Sequence, residues 1–113
     1  MSDQVTSFTA SDFGRTLTSN GDGSDHGWGG HQLVMGGAVK GGEIYTGLSG
    51  MPDFAIGNDM DSGEGRIIPG LSCDQYAATL AKWMGLSAQD IATTLPALAN
   101  FSEPDIGFMK QLT

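Results

Sequence analysis

Cysteine is almost missing from this sequence, with Cys73 its single example. One sulfur can form no intrachain disulfide and build no thiolate zinc cluster. Basic side chains are scarce as well. Five Lys and Arg stand against 13 Asp and Glu, for a formal net charge of −8. That balance repels phosphate backbones and anionic bilayer surfaces, which argues against nucleic acid and membrane as partners. It suits a protein that holds cations, and it equally suits plain solubility. No run is long and apolar enough to span a bilayer, and the polar opening Met1-Ser2-Asp3-Gln4 does not read as a signal peptide.

Glycine is what the chain has in excess: 18 residues of 113, about twice the usual share of roughly 7%. The glycines are not periodic and concentrate in residues 14–70, where they imply tight, irregular backbone. A hydrophobic content of 39% allows a folded core, and the length allows one small domain.

Residues 4–9 alternate apolar and polar side chains, with Val5, Thr6, Phe8 and Thr9, and read as a short strand. Residues 32–35, 43–45 and 66–68 are the remaining strand candidates. Residues 14–70 otherwise read as loop, and a loop of that length argues for functional or partner-supported structure. So thin a sheet leaves strand edges unpaired. The isolated chain is therefore expected to be marginal, oligomeric or aggregation-prone.

The last third carries the clearest local signals. Ser72 followed by Gln75 has the spacing of a capping box, with Asp74 adding charge in the first turn. Tyr76, Leu80, Trp83 and Met84 then fall on one face, and Gly85 supplies the stop. Trp83 is expected to anchor a core. Cys73, at the helix start with no histidine near in sequence, reads as a small packing residue. A second helix begins at Ser87, carries Asp90, Ile91 and Leu95, and is disrupted by Pro96.

Both histidines, His26 and His31, lie in the run Ser19-Asn20-Gly21-Asp22-Gly23-Ser24-Asp25-His26-Gly27-Trp28-Gly29-Gly30-His31. It offers carboxylate, imidazole and amide oxygen within thirteen residues, and divalent cations take such donors. The bland alternative is a surface turn in which Asp and Asn bond their own backbone. A calcium loop is a poorer match: Asn20, Asp22 and Ser24 alternate, but the closing glutamate is missing. The second constellation is Asp12, at the end of the first strand, with Arg15 three residues on. A carboxylate at a strand's C-terminal end is where open α/β sheets place ligands, and Arg15 could pair with phosphate or sulfate oxygens. The alternative is an Asp12–Arg15 ion pair bracing a turn. No serine or threonine has an activating neighbourhood that marks it as a nucleophile.

The strings Thr6-Ser7-Phe8-Thr9-Ala10-Ser11-Asp12-Phe13-Gly14-Arg15-Thr16 and Asn20-Gly21-Asp22-Gly23-Ser24-Asp25-His26-Gly27-Trp28-Gly29 resemble a bacterial family catalogued as domain of unknown function fifteen-oh-one. The resemblance runs on through residues 31–42, 65–69 and 74–83 to Asn100-Phe101. That family looks like a branch of the alkaline phosphatase and sulfatase superfamily, whose members are built on a mixed sheet between helices with metal ions at the strand ends. The resemblance implies an α/β fold for residues 1–113. It would be a partial α/β/α sandwich with few strands, long glycine-rich loops and two C-terminal helices, the C-terminal portion of one alkaline-phosphatase-like domain. It implies a metal-dependent hydrolase of anionic phosphate or sulfate esters, with this chain supplying metal ligands but not the nucleophile. A non-catalytic structural or binding module is the alternative. Asp12 and His26 match metal ligands. Asp25, in Asp25-His26-Gly27, offers a second match to the Asp-His-Gly metal motif. Arg15 and His31 would line the anion site. The cofactor would be a divalent metal: zinc, calcium or magnesium. The partner would be the missing N-terminal half of the domain or a second copy of the chain. Family resemblance also implies twin-arginine export to the periplasm, whereas the chain as written would stay in the cytoplasm. Phe13 stands where phosphatases commonly carry a histidine after the carboxylate.

Overall fold

The computed structural model describes residues 2–48, 50–51 and 56–110. It is a mixed α/β structure with two α-helices and two small antiparallel sheets among the described residues. No helix among them is long and apolar enough to cross a membrane.

The chain opens on a 3-10 turn, Ser2–Gln4, followed by strand β1, Thr6–Phe8. The strand expected over residues 4–9 is thus shortened at both ends. β2 spans Gly14–Ser19, β3 Ser24–Gly27 and β4 Val34–Gly36. β1 pairs with β4, and β2 with β3. Beyond β1 the Thr9 N–H donates to the Leu33 carbonyl at 3.0 Å, while its hydroxyl accepts from the Leu33 N–H at 2.8 Å. Residues 43–45 form no strand, and Ile67 makes only an isolated bridge to Asp61.

The chain divides into two compact units. The helical unit comprises Met1–Ser7, Met35–Tyr45 and Leu71–Thr113. Helix α1 runs Cys73–Trp83, and its capping box forms as the sequence implies. The Ser72 hydroxyl accepts from the Gln75 N–H at 3.0 Å, while Gln75 Oε1 accepts from the Ser72 N–H at 2.9 Å. Such a cap satisfies two helix-end donors that otherwise lack partners. Helix α2, Ala88–Thr94, is capped by Ser87, and Pro96 opens a 3-10 turn over Pro96–Asn100. Ala78 of α1, Ile91 of α2 and Leu98 of that turn make a small core, flanked by Ala81 and Leu95. Burying a side chain the size of Ile91 or Leu98 is worth about 1.5–3 kcal/mol.

Two polar α1 side chains are also buried, and both are bonded. Gln75 Nε2 donates to the Glu103 carbonyl at 2.6 Å, and the Thr79 hydroxyl accepts from the Ile106 N–H at 2.9 Å. They hold the segment after the second 3-10 turn against α1. Lys40 N–H then donates to the Phe108 carbonyl, and Val39 bridges Met109. Phe108 is buried beneath Tyr45 and Tyr76.

Three expectations are corrected in this unit. Met84 is 70% exposed, because α1 ends at Trp83 and Met84 is already its C-cap. Trp83 is only half-buried, and its indole N–H has no hydrogen-bond partner among the described residues. Cys73 is exposed rather than packed. Gly85 does supply the stop, at φ +100°.

Candidate functional site

The second unit comprises Phe8–Val34 and Thr46–Gly70, and its centre is the β2–β3 hairpin. The sequence reads as loop here because its side chains invert the usual pattern. Thr16 is buried at 7% exposure while Leu17 is 44% exposed. The register explains the inversion. Gly14 faces Gly27, Arg15 faces His26 and Ser19 faces Ser24, with an irregularity between Arg15 and Ser19. Four residue steps on β2 therefore oppose two on β3, which is a bulge.

The Thr16 hydroxyl repairs the broken ladder, accepting from the Asp25 N–H at 3.1 Å and donating to the Thr18 carbonyl at 2.9 Å. The Leu17 N–H turns away from β3 and donates to the Gly65 carbonyl at 3.0 Å. In the turn, the Asn20 N–H bonds the Gly23 carbonyl and the Asn20 side chain accepts from the Asp22 N–H. This is the local side-chain-to-backbone bonding that favours Asn and Asp in turns.

Directly opposed residues on an antiparallel pair share a face, so Arg15 and His26 project together. Phe13 joins them. Its ring stacks on the His26 imidazole with centroids 3.6 Å apart and planes inclined by 22°. The Arg15 guanidinium lies over the same ring at 4.9 Å and donates to the Ser24 carbonyl at 2.7 Å. The alternative of an Asp12–Arg15 ion pair is therefore not the partnership Arg15 makes; it takes an aromatic face and a carbonyl instead. Asp12 is exposed in the turn between β1 and β2, one residue before Phe13.

Asp25 and His26 lie on β3, contrary to the expectation that residues 14–70 are mostly loop. The Asp25 carboxylate accepts from the Asn20 amide at 2.8 Å. His31 is exposed in the segment between β3 and β4. An open depression of about 360 Å³ is lined by Arg15, Asn20, Asp22, Gly23 and Ser24. Asp22 places a carboxylate in the same hollow as the guanidinium, so its charge is mixed.

The donor chemistry of Asp12, Asp25 and His26 suits a divalent cation, and no hydrogen bond within the described residues occupies the His26 nitrogens. Their number does not make a complete shell. Among the described residues no three His, Cys, Asp or Glu side chains converge as a metal site. Asp25 and His26 are consecutive on β3 and so point to opposite faces of the ribbon; these residues do not form a metal site by themselves.

Trp28, just past β3, escaped the sequence reading. Its ring is 67% exposed, yet its indole N–H is fixed to the Ser62 hydroxyl at 2.7 Å. Asp61 was also missed, although an Asp followed two residues later by Gly is a turn signal. Its carboxylate collects the N–H groups of Gly57, Gly63 and Gly65. The N–H bonds of Gly57 and Gly63 outweigh partial burial and hold the Asp61 carboxyl below its ordinary value.

The fold and this hairpin define a mixed α/β protein whose chemistry-bearing side chains sit on a glycine-rich, polar ribbon. The family described as protein of unknown function DUF1501 matches residues 1–62, and the chain belongs to that family. The match takes in the whole hairpin and reaches Asp61. No curated protein and no solved structure matches the chain.

Proposed function

We propose that this chain contributes part of a binding site for anionic phosphate or sulfate esters, in a metal-dependent hydrolase of the alkaline phosphatase and sulfatase type. The observation that carries the reading is the cross-strand pairing of Arg15 with His26, with Phe13 stacked on the imidazole. It brings the residue after Asp12 against His26, although the two are far apart in sequence.

In this reading Asp12 and His26 hold a divalent cation, with Asp25 the alternative carboxylate. The remaining ligands come from another segment of a longer protein or from a second copy. Such a cation, when bound, polarises a phosphoryl or sulfuryl oxygen. Arg15 spends one N–H on the Ser24 carbonyl and turns the rest of its planar fork to the anion. His31 lines the same side of the substrate. Phe13 fixes the plane of the imidazole and keeps water from one of its faces. The nucleophile is not among these residues.

A second reading, a non-catalytic binding or structural module, is favoured by Phe13 itself. The ring fills a place where a further metal ligand would serve, and no three-ligand cluster forms among the described residues. Bound zinc, calcium and magnesium, measured by elemental analysis after loading and desalting the full chain, separate the two. Metal lost in both Asp12→Ala and His26→Ala supports the hydrolase reading. Occupancy unchanged in both supports the structural one.

A further inference from the structure

We infer that Asp61 is a positioning residue for the hairpin face, acting through the loop it organises and not by touching a ligand. Its Oδ1 accepts from the N–H groups of Gly63 at 2.7 Å and Gly65 at 3.0 Å, and its Oδ2 from Gly57 at 2.7 Å and Gly65 at 3.2 Å. These bonds stabilise a backbone that is otherwise unfavourable. Gly63, Glu64 and Gly65 are consecutive positive-φ residues, at +127°, +58° and +77°, and Glu64 has no glycine's freedom there. Successive N–H groups in such a conformation form a concavity that takes an anion. Here the anion is the chain's own carboxylate. Gly65 must be glycine for a second reason, since a Cβ there would stand 2.7 Å from Leu17 Cβ.

The loop so held makes three contacts with the ribbon. The Gly65 carbonyl accepts from the Leu17 N–H, the Glu64 carbonyl from the Thr18 hydroxyl at 2.6 Å, and the Ser62 hydroxyl from the Trp28 indole. Leu17 lies two residues past Arg15, and Trp28 two residues past His26. The loop therefore grips the ribbon on both sides of the Arg15–His26 pair, and Asp61 is where its internal bonds meet. Arg66 adds a lesser brace, its Nε donating to the Gly63 carbonyl at 3.0 Å. None of this depends on what the face binds.

The test compares the full chain with Asp61→Ala and Asp61→Asn by NMR, with neither metal nor anion present. In Asp61→Ala the Leu17 amide should exchange at least about tenfold faster. The Trp28 indole proton should move to the position of a solvent-exposed tryptophan, and the His26 ring protons should lose the shift that stacking on Phe13 gives them. The α1 amides from Ala78 to Leu80 should keep their protection. Asp61→Asn, which retains one acceptor oxygen, should fall between. Hairpin signals unchanged in Asp61→Ala overturn the assignment. So does a collapse of α1 protection together with the hairpin, which would make Asp61 a residue of global stability. Because no ligand is used, either outcome leaves the proposed ester-binding role to be judged on its own test.

Discussion

Every buried apolar side chain among the described residues belongs to the helical unit, from Ala38 and Val39 through Ala78, Leu80, Ile91 and Leu98 to Phe108 and Met109. In the hairpin unit the buried side chain among the described residues is Thr16, a hydroxyl that mends a bulge. Phe8, Leu17, Trp28, Leu33 and Ile68 of that unit are all exposed. One unit rests on apolar burial and helix caps, the other on side-chain hydrogen bonds to backbone and on glycine at close approaches. Burial is non-directional, so the helical unit tolerates small shifts. Hydrogen bonds fix direction, which suits a ribbon that must hold an imidazole, an aromatic ring and a guanidinium in one stack.

The sharpest way to break the contrast is to cut into each unit by its own means. Ile91→Ala opens a hole in the small core with Ala78 and Leu98 and should cost about 2–4 kcal/mol, read as a lowered denaturant midpoint for α1 amide protection. Gly14→Ala should harm the hairpin by overlap instead, since a Cβ there collides with the Gly29 carbonyl. A cost of about 1–3 kcal/mol is expected, seen as faster amide exchange in β2 and β3. If Gly14→Ala proved neutral, the claim that close backbone approach holds the ribbon would be lost. Ser72→Ala removes the acceptor of the Gln75 N–H and should cost about 1 kcal/mol, detected by fraying at Cys73 and Asp74. Lys82→Met breaks the pair with Asp105 at 2.9 Å. Both groups are substantially exposed, so the change should be under about 1 kcal/mol.

Acidification sharpens the comparison from another side. The Asp61 carboxyl titrates below its ordinary value of 3.8 because the N–H groups of Gly57 and Gly63 favour the charged form. A depressed folded-state pKa gives stability that is present above the unfolded value and lost as pH falls through the folded one. The grip of the loop on Leu17 and Trp28 should therefore be constant at neutral pH and loosen only below about pH 4. Loosening of the Trp28 indole signal between pH 7 and 5 would contradict it.

The helical unit was legible in the sequence because its signals are local. Ser72 and Gln75 are three residues apart, Ile91 and Leu95 four, and Pro96 and Gly85 punctuate. Even there the periodic pattern carried one residue too far, to Met84. The ribbon was illegible for a physical reason. Its bulge inverts the burial of Thr16 and Leu17, and its partners are non-local: Leu17 with Gly65, Thr18 with Glu64, Trp28 with Ser62. A strand whose hydroxyls point inward resembles a loop to any pattern based on apolar alternation. The chemistry-bearing residues were nonetheless visible by type. His26 and Arg15 stand out as imidazole and guanidinium in a chain poor in both, and the structure pairs them across the ribbon. Their stack with Phe13 is not legible in the sequence, where Phe13 stands out only as a replacement for histidine.

A zinc titration of the full chain, followed through the ring resonances of both histidines, tests the proposed site most directly. The His26 signals should shift at substoichiometric zinc, His31 should move less, and Asp12→Ala should weaken the His26 response at least about tenfold. His26 signals that stay fixed while zinc rises to excess, or that respond equally with Asp12 removed, would contradict the proposed site.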